Sequence, residues 1–156
     1  MDLARVFTQM SARQFAAFTS LYPPFLLGGV RVVHVADDWT SVTVRLKVRG
    51  WNKNHNGAAF GGMLSAMTDP FFGLMAQWQL GDEYTIWNTR VSTEFLAPGR
   101  GEVRATMCVS PDEAEVIRRN VAATGSSRTI HSADLVGSDG RVVARHEQEV
   151  YARLRT

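Results

Sequence analysis

The 156-residue chain is 45% hydrophobic, 21% charged and 10% aromatic, the composition of one globular domain and not of a disordered tail or a fibrous repeat. Its 17 Lys and Arg residues interleave with 15 Asp and Glu residues for a formal net charge of +2, which gives nucleic-acid binding little support. The single cysteine, Cys108, excludes an internal disulfide and a cysteine-based zinc cluster; it suits a reducing compartment, so a cytoplasmic protein is expected.

Residues 2–22 read as a helix, with Leu3, Val6, Phe7, Met10, Phe15, Phe18 and Leu21 near helical spacing and Pro23-Pro24 as its stop. This makes 1–24 a helical extension ahead of a core at 30–154, within one domain spanning 1–156. The stretch has no uninterrupted apolar run or small-residue cleavage site, so no signal peptide is expected. Val30 to Ala36 reads as a strand and Asp37-Asp38 as a turn. Val42, Val44, Leu46 and Val48 then alternate with Thr43, Arg45, Lys47 and Arg49, which predicts a half-buried strand.

A polar loop of Asn52, Asn54, His55, Asn56 and Gly57 leads into an apolar segment from Ala58 to Leu80, ended by Gly81 and predicted as one helix. Ser65, Thr68, Asp69 and Pro70 interrupt it, so it is a core helix enclosed by protein and not a membrane span. Tyr84 to Leu96 predicts a strand, Pro98-Gly99 a turn and Val103 to Val109 the next strand. Ser110-Pro111-Asp112-Glu113 is a capping box with proline at the first helical position, starting a helix that runs to about Asn120. Arg128 to Val136 and Arg141 to Leu154 form a hairpin about Asp139-Gly140. Six strands, a central apolar helix and no βαβ alternation predict an α+β domain, a mostly antiparallel sheet wrapped around a buried helix.

The stretch from Asn54 to Asp69 carries the chemistry. A helix start offers free backbone N–H groups and a positive dipole end, and Gly61 and Gly62 let a ligand oxygen approach them; close packing or a turn would use the same glycines. Asp69 is the only charged residue between Lys53 and Asp82. It reads either as a functional carboxylate or as an N-cap ahead of Pro70. Asn52, Asn54 and Asn56 read as loop formers or as ligands of a water or a carbonyl. Gly62 and Asp69 lie roughly 10 Å apart along one helix, too far to touch one carbonyl carbon together. If both act on it, they come from two subunits of a symmetric dimer. Met63, Met67, Phe71, Phe72, Met75 and Trp78 would fit either a core or an acyl pocket. The histidines His34, His55, His131 and His146 lack metal-ligand spacing, and no metal is expected. No Gly-x-Ser-x-Gly elbow or Gly-x-x-x-x-Gly-Lys loop occurs, and Ser65 reads as a packed small residue.

From Asn54 onward, the string Asn-x-x-x-x-x-Phe-Gly-Gly-x-x-x-x-x-x-Asp resembles the hotdog-fold acyl-CoA thioesterases. Thr93-Glu94-Phe95-Leu96-Ala97-Pro98-Gly99 is similar to the strand and turn after the helix in phenylacetate-pathway-type members. The resemblance, running from about Val30 to Leu154, implies a hotdog fold. It implies Asp69 as general base or nucleophile, Gly62 with Gly61 as the oxyanion-binding helix start, and Asn54 as the polar loop residue that positions carbonyl or water. Asn56, Phe60, Gly61, Met63 and Met67 would contact substrate. The implied partners are a second copy of the chain, with dimers often paired into tetramers, and an acyl-CoA. Coenzyme A enters only as part of the substrate, with no other cofactor. Its phosphates would meet some of Arg45, Lys47, Arg49, Arg100, Arg141 and Arg145. Two departures stand out: Phe60 occupies a position that is His in the phenylacetate-pathway enzymes, and Pro70 kinks the helix and re-aims Asp69. They keep open a non-catalytic hotdog module that binds acyl-CoA or a fatty acid. A dehydratase is disfavoured for lack of a paired Asp/His arrangement.

Overall fold

The computed structural model describes residues 10–155. Alternation in the sequence becomes six strands: β1 (Val30–Val35), β2 (Ser41–Lys47), β3 (Tyr84–Phe95), β4 (Glu102–Cys108), β5 (Ser126–Gly137) and β6 (Val142–Leu154). They form one antiparallel sheet in the order β1-β2-β4-β5-β6-β3, so β1 and β3 are its edges. The expected α+β architecture is present. Among the described residues, no helix is long and apolar enough to cross a membrane.

The helices are α1 (Ala12–Leu21), α2 (Pro23–Gly28), α3 (Gly61–Ala66), α4 (Phe71–Leu80) and α5 (Pro111–Thr124). The predicted first helix begins at Ala12, where Ser11 Oγ accepts from Gln14 N–H and Gln14 Oε1 accepts from Ser11 N–H. Its predicted residues 2–9 lie outside the described residues. Pro23 and Pro24 stop α1 and also start α2, because proline suits a first helical turn. α5 runs past Asn120 to Thr124 and ends at Gly125, whose φ of 82° is left-handed.

The core lies between the sheet and α4. Phe71, Phe72, Met75 and Ala76 of α4 are fully enclosed, against Val44, Leu46, Val103, Met107, Leu135 and Ala144 of the strands. Trp78 of α4 stacks on Trp39 of the β1–β2 turn at 4.0 Å and 6°, and Phe15 of α1 meets Trp39 edge-on at 5.0 Å. This packing holds Trp39 at its φ of 59°.

A buried amide ties the segment before α3 to the rest. Asn52 donates from Nδ2 to Gly28 O at 2.8 Å and Lys47 O at 2.9 Å, while its Oδ1 accepts Arg49 N–H at 2.6 Å. The Asn52 side chain is thus structural. Asn52→Ala is expected to cost about 3 kcal/mol, because it strands buried carbonyls, and the midpoint of urea unfolding measures the loss.

Candidate active site

The predicted single helix from Ala58 to Leu80 is two helices with a break at residues 67–70. Pro70 explains the break, since it has no N–H to give Ala66 O and its ring crowds that carbonyl. α4 resumes with Leu74 N–H donating to Pro70 O at 3.0 Å. The carbonyl of Asp69 is held by two side-chain amides instead, Asn88 Nδ2 of β3 at 3.0 Å and Gln148 Nε2 of β6. Gly73 makes room for Asn88, whose Oδ1 lies 3.1 Å from where a Cβ would stand.

The break carries the Asp69 side chain to the protomer surface. Its carboxylate makes no hydrogen bond and no ion pair among the described residues, and α4 has no side-chain cap. The capping alternative therefore fails on geometry, and so does the placement of Asp69 inside an enclosed helix. Partial desolvation, with no cation nearby to offset it, holds the carboxyl above its ordinary value.

The loop before α3 is closed by an isolated bridge between Lys53 and Ala59. Asn54 Oδ1 accepts from Asn56 N–H at 2.9 Å and Ala58 N–H at 3.2 Å, an Asx turn that shapes the loop and leaves Nδ2 without a partner among the described residues. Asn56 is exposed and its carbonyl accepts from Arg100 at 3.3 Å. Phe60 N–H is spent on Asn52 O, but Gly61 and Gly62 N–H have no partner among the described residues. Both glycines also lie against rings that a side chain would have to displace: a Cβ on Gly61 would stand 3.0 Å from the Phe95 ring, and one on Gly62 would stand 2.6 Å from the Phe60 ring. Phe60 and Phe95 are themselves more than half exposed beside this helix start. Met63 is partly buried, with its sulfur against Gly28, and Met67 is wholly inside the core.

Sequence reading missed a buried polar cluster beneath the break. His146 and Gln148 of β6 are fully enclosed on the sheet face that packs on α4, and His131 of β5 lies opposite Gln148. Phe72 stacks over both histidines, with centroids at 5.4 Å from His131 and 6.5 Å from His146. His131 Nε2 lies 2.9 Å from Thr129 Oγ1, and its Nδ1 is 3.4 Å from Glu113 of α5. Burial lowers the pKa of His131 and outweighs the pull of Glu113. Burial alone brings His146 down to about 4, so it is neutral at physiological pH. A signal for this cluster existed: His146 and Gln148 occupy inward positions of a strand whose outward positions are Arg145, Glu147 and Glu149.

Of the six candidate cations, Arg45 pairs with Glu102 and Arg145 with Asp134, while Arg49 lies over Trp51. Arg100 and Arg141 line one cavity of about 290 Å³ with Ser138 and Asp139, and neither forms an ion pair among the described residues. Arg100 also donates to Gly57 O at 3.4 Å, which places this cavity beside the loop leading to Gly61.

Residues 11–151 match a family described as a domain of unknown function, DUF4442. No curated protein matches the chain. Among solved structures, a Pseudomonas aeruginosa protein of unknown function and "probable thioesterase", PA5026, superposes with a TM-score of 0.81 at 17% identity, over 90% of this chain and 93% of that one. The Haemophilus influenzae thioesterase HI1161 superposes at 0.69 with 11% identity, over 94% of this chain and 92% of that one. A mutant of the P. aeruginosa thioesterase PA1618 does so at 0.69 with 14% identity, over 94% of this chain and 96% of that one.

Proposed function

The chain belongs to the DUF4442 family and has the hotdog fold, and we propose that it hydrolyses an acyl thioester, an acyl-CoA, to free acid and thiol. The observation that carries this reading is the Asp69 carboxylate: among the described residues it caps nothing and pairs with nothing, and it is shifted toward the proton affinity of a base. The thioesterase names of the structural neighbours point the same way.

In this reading Asp69 takes a proton from water as the water oxygen attacks the carbonyl carbon. The developing oxyanion is received by the N–H groups of Gly61 and Gly62 of the partner subunit. Collapse of the tetrahedral intermediate breaks the C–S bond, and the proton held by Asp69 goes to the thiolate. Asn54 Nδ2 or Asn56 orients the water or the carbonyl. The partner is a second copy joined along β3, a 12-residue edge strand that exposes Trp87, Val91 and Phe95 and leaves one side of its backbone unpaired. Two such edges pair antiparallel about a two-fold axis, closing the sheet and bringing one helix start toward the other subunit's break. The aromatic rings of Phe60 and Phe95 would flank the acyl group.

Arg100 and Arg141 are the cations this reading assigns to the coenzyme A phosphates. Replacing either with Ala is expected to raise KM for an acyl-CoA about tenfold while leaving KM for the acyl-N-acetylcysteamine thioester, which has no phosphate, unchanged. Equal effects on both substrates would remove the assignment. A second reading, a module that binds acyl-CoA or a fatty acid without turnover, is favoured by Phe60, whose ring lies against Gly62. Release of free thiol by the wild-type protein from a panel of short, long and aromatic acyl-CoAs separates the two.

A further inference from the structure

Ser65, in the last turn of α3, is half-buried and donates to Thr93 Oγ1 of β3 at 2.9 Å. Thr93 Oγ1 in turn lies 3.1 Å from Nδ1 of His146, its register partner on β6. Beside this chain His146 Nε2, Gln148 Oε1 and Asn88 Oδ1 are buried with no hydrogen-bond partner among the described residues. Enclosing three such atoms costs stability that apolar side chains would not cost, so packing does not account for the cluster.

The direction of the chain follows from counting protons. A neutral imidazole carries one N–H. Gln148 Oε1 and Asn88 Oδ1 are acceptors in need of a donor, and Gln148 lies two residues from His146 on the same face of β6. A proton on Nε2 is the donor this cluster lacks, and Nδ1 is then bare. Thr93 must therefore donate to Nδ1, and its oxygen accepts from Ser65. Ser65 has spent its only proton, and what it presents outward is a pair of lone pairs, sharpened by the polarised chain behind it.

Ser65 precedes Asp69 by one helical turn. Met67 (φ −68°, ψ −16°) and Pro70 (φ −83°, ψ −14°) both remain right-handed across the break. Thr68 N–H donates to Ser65 O at 3.3 Å and Phe71 N–H to Thr68 O at 3.4 Å, so the break keeps helix-like turns, on which side chains four residues apart share one side with Cβ atoms about 5–6 Å apart, a gap that one water spans. We propose that Ser65 is a second contact of the attacking water, an acceptor aimed through Thr93 by His146, so that one water proton passes to Asp69 while the other stays on the attacking oxygen, hydrogen-bonded to Ser65 Oγ. The proposal rests on the thioesterase reading. Ser65 is not the nucleophile, because its proton would have to end on His146, and burial makes that imidazole a poor base at neutral pH. Thr93 and His146 are positioning residues.

The test compares Ser65→Ala, Thr93→Val and Thr93→Ser in the full-length protein, with Asp69→Asn alongside. Ser65→Ala and Thr93→Val are expected to lower kcat ten- to a hundredfold with KM, melting temperature and oligomeric state unchanged, and Thr93→Ser to keep kcat within about threefold of wild type. A Ser65→Ala kcat within twofold of wild type, or a loss confined to KM or stability, overturns the proposal. The thioesterase reading fails separately, through an inactive wild type or an active Asp69→Asn, and the water-contact role falls with it. Imidazole nitrogen NMR of the ligand-free protein gives a readout independent of turnover. His146 is expected as the Nε2–H tautomer, with a Nδ1 shift that moves in Thr93→Val; a Nδ1–H tautomer overturns the inferred direction.

Discussion

Asp69→Asn is expected to lower kcat/KM for thioester hydrolysis by about a hundred- to ten-thousandfold, the usual contribution of a positioned general base, with fold and assembly intact. Free-thiol release measures it, and a loss of less than fivefold removes Asp69 from the mechanism. The pH profile supplies a second check. Asp69 acts as a base only when ionised, and desolvation raises its pKa above the ordinary 3.8, so kcat/KM should rise with pH through a midpoint above that value. The stability sign is the reverse of the usual carboxylate case. A group whose folded pKa is raised favours the folded state when protonated. The cost of ionising Asp69 is absent below its unfolded pKa, appears as pH climbs through the window between the unfolded and folded values, and persists above it. At neutral pH Asn removes that cost, so urea unfolding of Asp69→Asn should show a stability equal to or slightly above wild type.

Asp69→Ala tests the geometry from another side. An N-cap carboxylate replaced by Ala loses about 1 kcal/mol, but the Asp69 side chain makes no cap bond, and no such loss is expected.

Strand alternation made the sheet legible residue by residue: Val42, Val44 and Leu46 face the core as their spacing requires. The capping box at Ser110 placed the start of α5. Continuous apolarity from Ala58 to Leu80 hid the break in the central helix, because hydropathy is the same in a straight helix and in two shorter ones. Pro70 was the only local sign, and its consequence, a carboxylate at the surface, needed Asn88 and Gln148 to be visible, residues 19 and 79 positions away. His146 and Thr93 meet only through the pairing of β3 with β6, a register that periodicity does not specify between distant strands. The loop asparagines gave opposite outcomes from similar sequence. Asn52 is buried as a brace, while Asn54 shapes its own turn and keeps an amide without a partner among the described residues.

In the proposed site Asp69 and Gly62 act on one carbonyl from two subunits, and that arrangement has a quantitative consequence. Gly62→Pro removes one free N–H from the first turn of α3, where the proline backbone is tolerated and its ring displaces the exposed Phe60 side chain, and should lower kcat about a hundredfold. Asp69→Asn alone is similarly inactive. If each site takes Asp69 from one subunit and the helix start from the other, subunit exchange makes half of the dimers mixed, and each mixed dimer holds one intact site and one doubly damaged site. Activity should then recover to about a quarter of wild type. Sites contained within one subunit recover nothing, since every subunit in the mixture carries a lesion. Disrupting the β3 edge gives the complementary result. Val91→Pro, in the exposed middle of that strand, is expected to yield a folded monomer by light scattering and to abolish turnover, because a lone protomer offers a base without an oxyanion site. A monomeric Val91→Pro that retains full activity would mean that both groups act from one chain and would remove the two-subunit site.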